Sequence, residues 1–241
     1  VSSASPIGSR DDIFVMKTDS AGNFIWVITL DDNDALERPQ NGMAVDDSGN
    51  VYITGTFSGQ MDANPGAATH QLSTNSFDNV FVVKLDANGN FVWAKSFGEG
   101  FSDVSVLGIE VGPAGNIYLN GYYADSVDFD PGPGVFQLYA DIDEYNYLLK
   151  LDGNGDFVWA KSIAGTYNDF ERAYLAVDAQ QNVYTTGYVE DSSVFDYGPD
   201  TIFSDEGGYI QKRDINGDIV WSKSIGGYDA LGISVGLDAY G

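Results

Sequence analysis

All four tryptophans of this 241-residue chain occupy one position of a long internal repeat. Trp26, Trp93, Trp159 and Trp221 follow one another at intervals of 67, 66 and 62 residues. Each closes the same phrase: Lys17-Thr-Asp-Ser-Ala-Gly-Asn-Phe-Ile-Trp26, Lys84-Leu-Asp-Ala-Asn-Gly-Asn-Phe-Val-Trp93, Lys150-Leu-Asp-Gly-Asn-Gly-Asp-Phe-Val-Trp159 and Lys212-Arg-Asp-Ile-Asn-Gly-Asp-Ile-Val-Trp221. A second phrase recurs at 66 residues both times: Asn50-Val-Tyr-Ile-Thr-Gly55, Asn116-Ile-Tyr-Leu-Asn-Gly121 and Asn182-Val-Tyr-Thr-Thr-Gly187. Such a period means one supersecondary unit copied in series, each copy burying a face against its neighbour.

The unit from Phe97 to Ile163 reads as strands. Val106–Val111 is a short strand, and Gly112-Pro-Ala-Gly115 a turn whose glycines accept positive φ. Asn116–Tyr123 alternates with period two. A loop over 125–134 follows, with a short edge strand expected at Val135–Tyr139. Tyr145–Leu151 and Asp156–Ser162 are two more strands, joined by the turn Asp152-Gly-Asn-Gly155. No segment carries a helical apolar stripe. Four antiparallel strands per unit, joined by Gly-containing hairpins, describe an all-β chain of β-propeller blades about 66 residues long. The phasing gives partial blades at 1–30 and 226–241, with two strands in front and one behind. Between them lie three complete units, 31–97, 98–163 and 164–225. The flanks either combine into one incomplete blade or belong to a larger propeller. Because the stop falls inside a repeat, the larger propeller is favoured, and the opening Val1-Ser-Ser-Ala-Ser5 reads as a processed chain or a fragment.

Recurrence also orders the side chains. The Trp is expected to pack between neighbouring sheets, where a large ring fills the wedge between blades. Seven of the eleven bases fall on repeat positions: Lys17, Lys84, Lys150 and Lys212 in one set, Lys95, Lys161 and Lys223 in another. They should pair with repeat aspartates such as Asp86 and Asp152, or cap sheet carbonyls.

The remaining composition excludes more than it assigns. With 36 acids against 11 bases the formal charge is -25, which repels nucleic acid and anionic membranes. Cysteine is absent, so disulfides and thiolate metal sites are excluded. No apolar run approaches the roughly 20 residues that span a bilayer, so no membrane insertion is expected. His70 is the single histidine and reads as a surface loop residue, which rules out His-based metal centres and a repeated Ser-His-Asp set. No phosphate-cradling glycine loop precedes a helix. With so many acids, carboxylate pairs of the glycosidase kind are unavoidable, and nothing singles one out.

One acidic turn stands out. Asp62-Ala-Asn-Pro-Gly66, Asp128-Phe-Asp-Pro-Gly132 and Val194-Phe-Asp-Tyr-Gly198 are equivalent. Asp62, Asn64, Asp128, Asp130 and Asp196 are oxygen donors of the kind a hard cation takes, which makes calcium the one cofactor these residues suggest. The competing reading is a tight turn in which Asp accepts backbone N–H bonds.

The stretch Ser96–Tyr123, closing on Val-Asp-Phe-Asp-Pro-Gly132 and continued by Lys150-Leu-Asp-x-x-Gly, resembles the bacterial seven-bladed β-propeller (SBBP) repeat. The resemblance covers nearly the whole chain. It weakens in the last unit, where Tyr197 replaces the turn proline and Gln181 the turn glycine. It implies a secreted or cell-surface protein of Bacteroidetes-like bacteria, with no defined catalytic residues. The expectation is a non-enzymatic extracellular module, structural, adhesive or binding, of a larger protein. Its partners would be other domains of that protein, neighbouring subunits, or an extracellular glycan or protein. Two alternatives stay open: a subunit whose open blade edges build a fibre or ring, and a carbohydrate-active enzyme using a carboxylate pair.

Overall fold

The computed structural model describes residues 13–32, 42–74, 78–98, 103–140, 144–165, 174–189, 193–195, 202–204, 207–225 and 234–238. In chain order the strands are β1 Ile13–Thr18, β2 Phe24–Asp32, β3 Met43–Val45, β4 Val51–Phe57, β5 Gln60–Asp62, β6 Gln71–Ser73, β7 Asn79–Leu85, β8 Phe91–Phe97, β9 Val104–Val111, β10 Ile117–Tyr123, β11 Ser126–Asp128, β12 Gln137–Tyr139, β13 Tyr145–Leu151, β14 Phe157–Gly165, β15 Tyr174–Val177, β16 Val183–Val189, β17 Ser193–Phe195, β18 Ile202–Ser204, β19 Gly207–Arg213 and β20 Ile219–Ile225. Among the described residues the only helical element is a 3₁₀ turn at Pro113–Gly115. Three sheets repeat one antiparallel order: β3-β4-β7-β8, β9-β10-β13-β14 and β15-β16-β19-β20. These are the four-stranded propeller-like blades expected from the repeat. In front of them β1 and β2 form a hairpin, while residues 234–238 form no strand.

The loop expected at 125–134 holds a strand of its own. β11 pairs with β12 to form a small hairpin, and β5–β6 and β17–β18 are its equivalents. Each hairpin reaches back to the last strand of the preceding unit. β5 pairs with β2 at Asp31↔Asp62 and Asp32↔Met61. The Gly98 N–H, just past β8, donates to the Asp128 carbonyl at 3.0 Å.

The hairpin turns share one device. Asp19, Asp46, Asp86, Asp152, Asp178 and Asp214 each accept two backbone N–H bonds on Oδ1, from residues two and four ahead. The carboxylate thereby ties off amides that no ladder can reach. Every third strand of a unit then shifts register directly after the repeat lysine, at Lys17/Thr18, Lys84/Leu85, Lys150/Leu151 and Lys212/Arg213. The lysine is left opposite the repeat tryptophan: Lys17↔Trp26, Lys84↔Trp93, Lys150↔Trp159, Lys212↔Trp221. A bulge re-aims side chains, and here it turns a cation and an indole toward the next sheet.

The core lies between sheets. Ile13, Val15, Trp26 and Ile28 of the front hairpin pack on Phe81, Val83 and Ala94. Val80 and Val82, on the other face of that sheet, join Tyr147 and Leu149 of the next. Leu148 and Tyr118 join Tyr209 and Val183. Alternate residues of each third strand therefore face opposite neighbours, which is period two applied to a sheet buried on both sides.

Candidate functional site

Two arrangements use the repeated polar residues: a clasp between consecutive sheets and a cavity among the turns.

The clasp has three parts. Trp26, Trp93 and Trp159 each lie over a turn glycine of the following unit. A Cβ on Gly89, Gly155 or Gly217 would approach the ring to 3.0–3.1 Å, and all three glycines have φ near +80°. No other residue meets both demands. Lys17, Lys84 and Lys150 donate from Nζ to the turn carbonyls of Ala87, Gly153 and Ile215, at 2.8, 3.2 and 3.3 Å. Trp26 and Trp159 donate from Nε1 to the same oxygens of Ala87 and Ile215, at 3.3 and 3.0 Å. Trp93 Nε1 has no hydrogen-bond partner. Third, Lys95 and Lys161 meet Asp156 and Asp218 at 3.2 and 2.9 Å. Where the front hairpin has Ile28 in place of a lysine, the facing residue is Asn90 rather than an aspartate. So Lys17, Lys84 and Lys150 cap carbonyls, while Lys95 and Lys161 pair with Asp156 and Asp218. Asp86 and Asp152 serve their own turns instead. The clasp lysines also lie over tyrosine rings of their own sheets, Lys84 on Tyr52 at 4.9 Å and Lys150 on Tyr118 at 5.2 Å.

The cavity, about 790 Å³, is lined by turns of three successive sheets. Asp46, Asp47, Asp152 and Asp178 face it, with Lys84 and Asn116. Two of its acids, Asp46 and Asp178, are committed on both oxygens. Asp46 Oδ2 accepts from Asn50 Nδ2 at 2.7 Å and Tyr52 Oη at 3.1 Å; Asp178 Oδ2 accepts from Asn182 Nδ2 at 2.7 Å and Tyr184 Oη at 3.2 Å. Burial by itself would raise both carboxyls. The bonds from Asn50, Tyr52 and Ser48, and from Asn182, Gln180 and Tyr184, outweigh it and hold both below the usual carboxylate range. Lys212 adds an ion pair to Asp178 at 3.6 Å.

The middle sheet departs from this pattern. Gly112 stands where its neighbours carry Asp46 and Asp178. A Cβ there would come within 2.9 Å of Val177 Cγ1 and 3.0 Å of Tyr118 Cε2. Tyr118 Oη is consequently buried without a partner, and its pKa is pushed up to about 12, by burial first and then by the Asp178 charge. The turn is completed from the next sheet. Gln181, held at φ +66°, accepts from Asn116 Nδ2 at 2.6 Å and Lys150 Nζ at 3.3 Å. Recurrence could not reveal this contact, because it replaces a repeated one.

The acidic turns lie apart from the cavity, at the β5–β6 and β11–β12 hairpins. Asp62 Oδ1 accepts the N–H groups of Asn64 and His70 at 3.1 and 2.9 Å. Asp128 Oδ1 accepts those of Asp130 and Phe136 at 3.0 and 2.8 Å. Asn64 and Asp130 cap Gly66 and Gly132 at 2.8 and 2.7 Å. These are the bonds of the tight-turn reading. Asp196 lies outside the described residues. Among the described residues no three His, Cys, Asp or Glu side chains gather as a metal would need. His70, expected on the surface, is half-buried, its ring 5.0 Å from that of Phe91.

No family model matches the chain. It is 24% identical over 277 aligned residues to an uncharacterised WD repeat-containing protein of Acanthamoeba polyphaga mimivirus, covering 89% of this chain and 19% of that protein. It is 26% identical over 154 residues to the regulatory protein FlaEY of Caulobacter vibrioides, covering 62% of this chain and 15% of that one. The chain thus spans less than a fifth of either relative's length. The likeness to a WD repeat-containing protein and the recurring four-stranded sheets agree on a propeller-like repeat protein.

Proposed function

We propose that the chain is a non-catalytic binding or scaffold module of a larger secreted or cell-surface bacterial protein. In this reading its acidic turn face meets a glycan or another protein. The observation that carries it is the commitment of Asp46 and Asp178, two of the cavity's carboxylates. Both oxygens of Asp46 and of Asp178 accept bonds from their own turn and tyrosine. A general acid needs its proton near neutral pH, and these groups are pushed the opposite way. The formal charge of -25 suits a protein that must stay soluble outside the cell, and the repeat phrases resemble those of bacterial SBBP repeats.

Two measurements test the reading. Antibody labelling of intact cells and culture medium should find the protein outside; confinement to the cytosol overturns the extracellular assignment. A polysaccharide panel should show no turnover. Hydrolysis that disappears in Asp178→Asn, with the fold intact by circular dichroism, would replace the scaffold by an enzyme.

A further inference from the structure

Two successive interfaces between sheets differ at one equivalent position. Between the β9-β10-β13-β14 and β15-β16-β19-β20 sheets, Lys150 Nζ holds two oxygens: the Ile215 carbonyl and the side-chain carbonyl of Gln181, each at 3.3 Å. One interface earlier, Lys84 Nζ holds the counterpart of the first, the Gly153 carbonyl at 3.2 Å. The place of Gln181 is taken there by Gly115. Both residues have positive φ, +66° for Gln181 and +74° for Gly115. A Cβ on Gly115 would meet nothing closer than 3.9 Å, at Gly153 Cα and Tyr52 Oη, so the space a glutamine would take is open. That space belongs to the cavity of about 790 Å³, which Gly115 and Lys84 both line. Asn116 also donates to Gln181, but its counterpart Asn50 gives its amide to Asp46. Lys84 is therefore the donor that faces the open space.

From this internal template we infer that the cavity binds a neutral N-acetylated sugar, its acetamido carbonyl taking on Lys84 the place that the Gln181 amide takes on Lys150. The inference rests on the reading of the turn face as a binding surface and names its ligand. An acetamido group is a carboxamide, as a glutamine side chain is, and accepts from an ammonium without carrying charge. The other walls suit the rest of such a sugar. Val111, Pro113, Ala114 and Val177 offer apolar surface to its methyl and C–H face. The Asp47 carboxylate takes part in no hydrogen bond or ion pair among the described residues, and Asp152 Oδ2 has the Asn154 amide at 3.5 Å, so both are acceptors for sugar hydroxyls. The same carboxylates oppose sialic, uronic or sulfated sugars. The volume is that of a small-ligand site.

Isothermal titration calorimetry of the full chain with N,N′-diacetylchitobiose tests this. The wild type should bind it, and should bind cellobiose, which has hydroxyls in place of the acetamido groups, about ten-fold more weakly or worse. Gly115→Gln closes the cavity from within, as Gln181 does at the next interface, and should abolish binding. Gln181 shows that this turn takes the side chain at positive φ. Asp47→Ala, at an exposed position, should leave the Tm unchanged and weaken binding roughly three- to ten-fold. Circular dichroism verifies the fold of both variants. No binding of diacetylchitobiose, equal binding of cellobiose, or unchanged binding by either folded variant overturns the inference. So does preferential binding of the peptide Ala-Gln-Ala, which would assign the cavity to a protein side chain. Each of these outcomes leaves the scaffold reading standing, because that reading fails on cytosolic confinement or on hydrolysis lost in Asp178→Asn.

Discussion

Trp159 and Trp93 occupy the same repeat position but make different bonds, and this separates two contributions to the clasp. Trp159 Nε1 donates to Ile215 at 3.0 Å, whereas Trp93 Nε1 is buried without a partner. Trp159→Phe should cost about 1 kcal/mol more than Trp93→Phe in denaturant unfolding, the worth of one hydrogen bond; equal losses would mean the indole bond is immaterial. The turn aspartates set the acid limit. Folding lowers the pKa of Asp46 and Asp178 below their unfolded values, so they stabilise the fold above the ordinary carboxylate range near 4. That contribution is lost as pH falls through the depressed folded values. Stability should be flat at neutral pH and drop below about pH 4, and Asp178→Asn should make that drop shallower. Asp62 and Asp128 belong to the same class of turn cap. Asp128→Ala should cost about 1 kcal/mol, and millimolar calcium should leave the Tm of the wild type unchanged. A calcium-dependent rise would instead assign their remaining oxygens to a metal. In the sequence these aspartates read as caps before ligands, because two side-chain oxygens per turn are too few for calcium, yet both roles use the same short oxygen donor beside a glycine. The second lysine set was harder to place. The sequence shows that Lys95 and Lys161 recur, but not that their partners lie about 60 residues ahead, on the next sheet.

At the level of single strands, legibility followed length. β10, β13 and β14 have seven residues or more and each adjoins a glycine-containing turn at one end, so their period is plain in the sequence, although β14 runs to Gly165, beyond the expected Ser162. β11 is three residues, too short to show a period, and leads into Asp-Pro-Gly, the mark of a turn. Its partner β12 was expected as an edge strand because Val-Phe-Gln-Leu-Tyr139 is apolar and aromatic enough to be seen. The last sheet departs from its siblings in its interior. Gln211 and Arg213 are fully buried where the other units carry Val83 and Leu85, or Leu149 and Leu151. Arg213 donates from Nε to Gln211 at 2.6 Å and from Nη1 to the Gly217 carbonyl at 2.8 Å. Burying a cation carries a desolvation cost that its bonds must offset, and well-packed apolar side chains often serve as well or better. Gln211→Leu with Arg213→Leu should therefore raise stability by about 1 kcal/mol or more, read as a higher Tm. A fall would show that this polar pair is integral to the sheet.

For the molecule as a whole, the stack should behave as a row of units coupled through nearest neighbours. The β3-β4-β7-β8 and β9-β10-β13-β14 sheets are buried on both sides by faces that recur. Excising one complete unit, residues 98–163, brings Phe97 to the place of its equivalent Ile163 and sets the Trp93 clasp over the turn of Gly217. The shortened chain should fold and unfold in one cooperative transition, followed by circular dichroism during heating. Loss of that transition would mean the middle unit holds the others in a way its neighbours cannot replace. The clasp explains why excision should be tolerated. Donor and acceptor sides of the contact lie in the same 66-residue phrase: the indole and lysine on one face, the glycine turn on the other. A copied unit brings plug and socket together, so lineages of such chains can lengthen or shorten by whole repeats without a single compensating substitution elsewhere.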